Sequence, residues 1–217
     1  MKKSVIPGWR KTILETLLFG GLVIALALLI HPLAAIDHSI ITEINDLPSS
    51  LLPLMQSITW LGNVPTLIGV AVIWSGVELA RKRRDRAVAM LASLVSLPLF
   101  LIIKETVRRS RPVLSLVSKV GFHGYSFPSG HATGSAAVYG VLSFMVAREL
   151  PSPWNRVASS IAIIVVILIG VSRVYLGAHF PTDVIGGWLL GLACYNLVAS
   201  QQRRRPSEVV SSSEIAE

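Results

Sequence analysis

One cysteine, Cys194, stands among 217 residues. No internal disulfide can staple such a chain, and a thiol inside an apolar run reads as packing. Charge is scarce too, at 15% of residues, where an average soluble domain carries about 25%. Acids are scarcer than bases, twelve against twenty. Asp37, Glu43, Asp46 and Glu105 are scattered and not clustered, which argues against a metal site. No internal repeat is evident. What the chain has in abundance is apolar residue, 52% of the total, with a mean hydropathy of +0.63. That balance indicates a membrane protein. The formal charge of +8 does not indicate nucleic acid, because the basic residues fall between apolar runs, as cytoplasmic anchors do.

A helix needs roughly 20 apolar residues to cross the hydrocarbon. Six runs come close, at about 13–30, 64–80, 87–103, 131–147, 157–172 and 183–200. The first follows Lys2, Lys3, Arg10 and Lys11. It is longer than the ~7–15-residue core of a secretory signal and no clean cleavage site follows it, so it reads as a retained span. Pro98 is expected to kink the third run, which neighbouring spans can tolerate. The expected fold is therefore an all-α integral membrane protein, a six-transmembrane-helix bundle forming one domain over 1–205. The polar stretch 206–217 reads as a disordered tail.

Orientation follows from the lysines and arginines. Fourteen of the twenty, at the N-terminus, in 81–86, at Arg148 and Arg156, and at 203–205, share one side if the spans alternate. By the positive-inside rule that side is the cytoplasm, with both termini there, in a multi-pass protein of the cell membrane. Lys104, Arg108, Arg109, Arg111, Lys119 and Arg173 all fall on the outer side. Six exceptions on one side require a functional reason.

Three segments lie at the outer ends of spans: Lys104 to Pro112, Pro128 to His131, and Ser172 to Asp183. Lys104 and Arg111 are about two helical turns apart and can share a face. Arg173 adds a third cation, and together the three suit a phosphoryl group with charge on several oxygens. Pro128 and Ser129 read as the start of a helix, whose first N–H groups form an anion site. Ser129 and the amides of Gly130 and His131 can hold phosphate oxygens, with Gly130 permitting close approach. His179 and Asp183 are four apart, Pro181 between them suiting the first helical position. Asp183 can orient one ring nitrogen of His179 and leave the other as a nucleophile. His131 then remains to protonate the leaving oxygen.

These segments resemble the type 2 phosphatidic acid phosphatase family, PAP2, which includes lipid phosphatases and vanadium haloperoxidases. Its signature is Lys, six residues, Arg-Pro; then Pro-Ser-Gly-His; then Ser-Arg, five residues, His, three residues, Asp. Lys104–Arg111-Pro112, Pro128 to His131, and Ser172-Arg173–His179–Asp183 match it without departure over 104–183. The resemblance implies a PAP2/haloperoxidase-like catalytic core and a metal-free phosphohydrolase, without cofactor, passing through a phosphohistidine. It implies His179 as nucleophile, Asp183 as its partner and His131 as general acid. Lys104, Arg111, Ser129, Gly130 and Arg173 would bind the phosphate. The implied substrate is a lipid phosphate or diphosphate at the outer membrane face, such as phosphatidylglycerol phosphate, phosphatidate or undecaprenyl diphosphate.

Plainer readings compete elsewhere. Arg108, Arg109 and Lys119 lie outside the fixed motif positions and can equally anchor lipid headgroups. His31 and His38 read as surface residues, and His123 as a surface residue close enough to touch a headgroup. The glycines of 186–191 read as close helix packing. Between His31 and Asn63, Ile36, Ile40, Ile41, Ile44 and Leu47 form a stripe opposite Asp37, Glu43 and Asn45. That pattern predicts an interfacial helix, with a lid or lateral gate for a lipid tail as the sharper reading. Rival functions are a transporter of anions or lipids using the same cations, a soluble-type haloperoxidase, and a lipid phosphotransferase. A transporter would carry its charges at the bilayer midplane, whereas these sit at span ends.

Overall fold

The computed structural model describes residues 8–112 and 124–204. Lys119, His123 and the 206–217 tail lie outside the described residues. The α-helices are α1 (Gly8–Leu28), α2 (Ala34–Asn45), α3 (Leu52–Trp60), α4 (Val64–Ala80), α5 (Arg84–Ala92), α6 (Ser96–Val107), α7 (Gly130–Ala147), α8 (Trp154–Tyr175) and α9 (Pro181–Arg204). Among the described residues there is no strand. The chain is an all-helical, multi-pass membrane protein.

Each of the six apolar runs becomes helix, but the helices are not alike. Four stretches, Arg10–Leu28, Arg84–Val107, Trp154–Tyr175 and Pro181–Arg203, are long and apolar enough to cross a membrane. A fifth results if Ser49–Trp60 and Val64–Ala80, bent by 43°, count as one span. Four or five of the expected six crossings are therefore long and apolar enough by length and composition among the described residues. The run at 131–147 falls short because α7 is the centre of the bundle. Ala132, Thr133, Gly134, Ser135, Ala136 and Ala137 are all buried in it, facing protein where small residues let helices close in.

The third run stays continuous through a 3-10 turn at Ser93–Val95. Pro98 supplies no N–H and its ring crowds the carbonyl four residues earlier, at Leu94. The distortion therefore falls one turn ahead of the proline.

Helices α7 and α9 meet backbone to backbone. A Cβ at Gly187 would stand 2.6 Å from the Ser129 carbonyl oxygen, and one at Gly191 would strike the Thr133 carbonyl. Any larger residue would push the helices apart, as the 186–191 glycines predict. On the other side of α9, Asn196 Nδ2 donates to the Thr12 carbonyl of α1 at 3.4 Å.

The two ends of the bundle differ in chemistry. At one end Arg81, Arg83 and Arg86 converge on Glu149 at the end of α7, and Arg86 also reaches the fully buried Glu78 at 3.3 Å. Burial pushes the Glu149 carboxyl upward, but the hydrogen bonds and charges of Arg86 and Arg83 hold it below the usual range. At the other end lie the three motif segments, together with α2 and the turn joining α3 to α4.

Candidate active site

The site is set by two helix starts. Ser129 occupies the N-cap position of α7 in extended conformation. Its own N–H donates to the Asp183 carbonyl at 2.9 Å, which ties the start of α7 to the start of α9. The side chain of Asp183, at the third position of α9, turns back to accept from the Phe180 N–H at 2.9 Å. This is the acidic half of a capping box, and Pro181 ahead of it needs no hydrogen-bond partner. Local helix-start chemistry thus aims the carboxylate before any substrate is considered.

His179 is 2% exposed. Its Nδ1 stands 3.7 Å from Asp183 Oδ2, within ion-pair reach but beyond a hydrogen bond. Its Nε2 faces Arg111 Nη1 at 3.4 Å. Burial holds the imidazole well below the usual histidine range, at about 4, against the opposing pull of Asp183, and Arg173 and Arg111 lower it further. The ring is therefore neutral near pH 7, as a nitrogen nucleophile must be.

Behind Asp183 lies a second layer. Arg109 Nη1 donates to Asp183 Oδ1 at 2.6 Å and its Nη2 to Asp37 Oδ2 at 2.6 Å. Asp37 Oδ1 accepts from the Thr182 N–H at 3.1 Å, and its Oδ2 from the Thr182 hydroxyl. The guanidinium of Arg109 also lies 4.1 Å from the centroid of the Phe180 ring. The stripe between His31 and Asn63 puts Asp37 on the water-facing side of α2. The structure corrects this: Asp37 is fully buried, stabilised by a cation and by a donor at the start of α9. Ile36 is exposed while Ile41 is buried, so α2 turns its Asp37–Ile41 side inward over the site. Arg109 is likewise no headgroup anchor. Arg108 closes α6 in the left-handed conformation, φ 51°, with its Nε on the Glu105 carbonyl.

The three expected phosphate-binding cations come together. Lys104 Nζ sits 5.7 Å from the centroid of Phe100, and the far edge of that ring lies where a Cβ at residue 130 would be, at 2.8 Å. Glycine at 130 thus lets the start of α7 sit against the Phe100 ring without displacing it. Arg111 is held by the Gly124 and Ala178 carbonyls at 3.0 and 2.7 Å, and Arg173 Nη1 donates to Thr59 Oγ1 at 2.8 Å. Ser129 Oγ is buried and meets no hydrogen-bond partner among the described residues; a phosphate oxygen can satisfy such a group. The first N–H groups of α7, at Gly130 and His131, have no partner within their own helix. His131 lies within electrostatic reach of Arg173, His179, Lys104 and Arg111, and its Nε2 lies 2.7 Å from Asn63 Oδ1.

Eight expected site residues are therefore gathered around one point. Three others, Thr59, Asn63 and Arg109, touch them without belonging to the motif, and a fourth, Asp37, holds Arg109 and Thr182 behind them. Each has an adequate local explanation in the sequence, as a polar face, a helix end or an anchor, so no sequence signal singled it out.

The arrangement can bind an anion, present a neutral imidazole to it and offer a second imidazole on another side. Known proteins are similar to this chain. The family model described as PAP2 superfamily matches residues 86–207. Phosphatidylglycerophosphatase B of Bacillus subtilis (strain 168) is 37% identical over 147 residues, covering 66% of this chain and 71% of that protein. Lipid A 1-phosphatase of Rhizobium etli is 30% identical over 167 residues, 66% of this chain and 68% of the other. The crystal structure of a transmembrane PAP2 type phosphatidylglycerolphosphate phosphatase from Bacillus subtilis superposes with a TM-score of 0.82 at 31% identity, covering 89% of this chain and 98% of that one.

Proposed function

The chain belongs to the PAP2 superfamily of phosphate hydrolases, and from that premise we propose that it removes the terminal phosphate of a membrane lipid through a phosphohistidine. One observation carries the reading most: His179 Nε2 and Arg111 Nη1, from segments 68 residues apart in sequence, stand 3.4 Å from each other. Such a pairing supports a reading in which the nitrogen that attacks and the guanidinium that binds the phosphate stand side by side.

In the proposed reaction His179 Nε2 attacks phosphorus. Lys104, Arg111 and Arg173, with Ser129 and the amides of Gly130 and His131, take up the charge on the non-bridging oxygens. As the bond to the leaving oxygen breaks, His131 gives that oxygen a proton. Water then attacks the phosphohistidine, His131 takes its proton, and phosphate departs with both imidazoles restored. The burden falls on positioning and electrostatics, as in phosphoryl transfer generally. The cations supply the charge that a metal would otherwise bring, so the reaction is proposed to run without one. Among the described residues no three of His, Cys, Asp and Glu gather as metal ligands would.

The proposal includes six crossings, both termini in the cytoplasm and the site at the outer leaflet. It is supported by the separation of Arg81, Arg83 and Arg86 at one end from the motif cations at the other. The name of the Bacillus relative makes phosphatidylglycerol phosphate the first substrate to test, beside phosphatidate and undecaprenyl diphosphate.

The experiment is phosphate release by detergent-purified protein from these three lipids, with and without EDTA. Release in EDTA is expected. No release from any lipid phosphate overturns the substrate class, and loss in EDTA restored by Mg²⁺ overturns the metal-free mechanism.

A further inference from the structure

The turn joining α3 to α4 lies far from the motif in sequence, yet touches the site at two points. Thr59 Oγ1 accepts from Arg173. Asn63 Oδ1 stands 2.7 Å from His131 Nε2. Between them Gly62 lies so close that a Cβ there would stand 3.0 Å from His131 Cδ2 and 2.6 Å from Ile169. The imidazole is thus flanked by this turn, which is held by backbone bonds from Gly62 to Thr59 and from Asn63 to Trp60.

Asn63 occupies the N-cap position of α4, where an asparagine ordinarily accepts from the second or third helical N–H. Here it makes no such side-chain bond. The second position is Pro65, which has no N–H to offer. The side-chain carbonyl is spent on His131 instead. A cap that does not cap needs another purpose, and the partner it has chosen is the proposed proton donor.

We propose that Asn63 is a positioning residue that sets the tautomer of His131. A carbonyl oxygen accepts only from a protonated nitrogen, so Asn63 Oδ1 keeps a proton on Nε2 throughout the cycle. The exchangeable proton is then carried by Nδ1. With the phosphate bound His131 starts as the imidazolium, protonated at both nitrogens; in the first step its Nδ1–H passes to the leaving oxygen as the P–O bond breaks, leaving neutral His131 with its Nε2–H still on Asn63. In the second step Nδ1 takes a proton from the attacking water. Asn63 thereby does for the acid what Asp183 does for the nucleophile, with a neutral group in place of a charged one. The inference rests on the proposed roles of the two histidines.

The test compares Asn63→Leu and Asn63→Asp with His131→Ala on a dialkyl lipid monophosphate and on p-nitrophenyl phosphate, using the full-length protein in detergent. Asn63→Leu removes the acceptor but no helix cap. It should lower turnover on the lipid at least about tenfold more than on the aryl phosphate, since only a basic leaving oxygen needs the acid. Asn63→Asp keeps an acceptor and should return the ratio between substrates to within about threefold of the unaltered protein. Equal losses on both substrates in Asn63→Leu, beside a skewed His131→Ala, overturn the role of Asn63 alone. Equal losses in both variants overturn the acid assignment and this inference with it. An Asn63→Asp protein as skewed as Asn63→Leu also overturns it, because the acceptor is then not what matters.

Discussion

Arg109 donates to Asp183 at 2.6 Å, on the carboxylate whose other oxygen lies 3.7 Å from His179. The same guanidinium holds Asp37 at 2.6 Å, so one buried cation serves two buried acids. Replacing it by Arg109→Leu leaves both carboxylates, each fully buried, without their cation. Breaking such a pair costs about 3–5 kcal/mol. Adding Asp37→Asn removes one orphaned charge, so the double variant should be less destabilised than Arg109→Leu plus Asp37→Asn taken separately, by roughly 0.5–3 kcal/mol. Thermal unfolding in detergent measures this. Strictly additive losses would mean that Arg109 and Asp37 do not act as a unit.

The two histidines should separate by leaving group. Without a nucleophile no phosphohistidine forms, so His179→Ala should be inactive on lipid and aryl phosphates alike. A general acid contributes about 10²–10⁴-fold where the leaving oxygen is basic. His131→Ala should therefore lose that factor on a lipid monophosphate and much less on p-nitrophenyl phosphate. Asp183→Asn should resemble a weaker His179→Ala, since the carboxylate beside the ring is gone. Rescue of His179→Ala by the better leaving group would exchange the two roles.

Arg173→Lys tests whether shape matters beyond charge. Arg173 reaches Thr59 through Nη1, and its planar fork sets several donors in a fixed geometry that a lysine's point donor cannot reproduce. Turnover should fall at least about tenfold, or ~1.4 kcal/mol of barrier. A fully active variant would reduce Arg173 to a general electrostatic contributor.

The acid limb of the pH profile should report the burial of His179. The ring attacks only when neutral, and its pKa in the fold is about 4, below the ordinary value of about 6.5. As pH falls, protonation should not silence the nucleophile until the pH nears that lower value. The check is kcat/KM on p-nitrophenyl phosphate, where the acid is least needed and the limb reports the free enzyme. A limb centred near the ordinary histidine value would place His179 in a wetter environment.

Sidedness can be read with single cysteines. After Cys194→Ser, Ser50→Cys lies on the exposed segment beside the site end, and Ser152→Cys on the exposed segment beside the Glu149 end. In intact cells an impermeant thiol reagent should label the first and spare the second. The opposite pattern would invert the proposed orientation.

Much of this protein was already determined by the sequence, because the physics there is local. Apolar runs of span length, an excess of cations on one side, a proline and serine opening a helix, and a His–Asp pair one turn apart all follow from neighbouring residues. They pointed to a helical bundle, to phosphate chemistry and to eight candidate site residues. Only the tertiary structure decided the surroundings of that site. Asp37 is 145 residues from Thr182, Thr59 is 114 from Arg173 and Asn63 is 68 from His131. Along the chain each has a sufficient local role, on a polar helix face or at a helix end. What overrules that role is desolvation: when helices pack, a buried carboxylate or imidazole must find a partner, and which partner is nearest depends on the fold. The same packing explains α7, whose small and polar residues read as a weak span because its faces meet other helices instead of lipid.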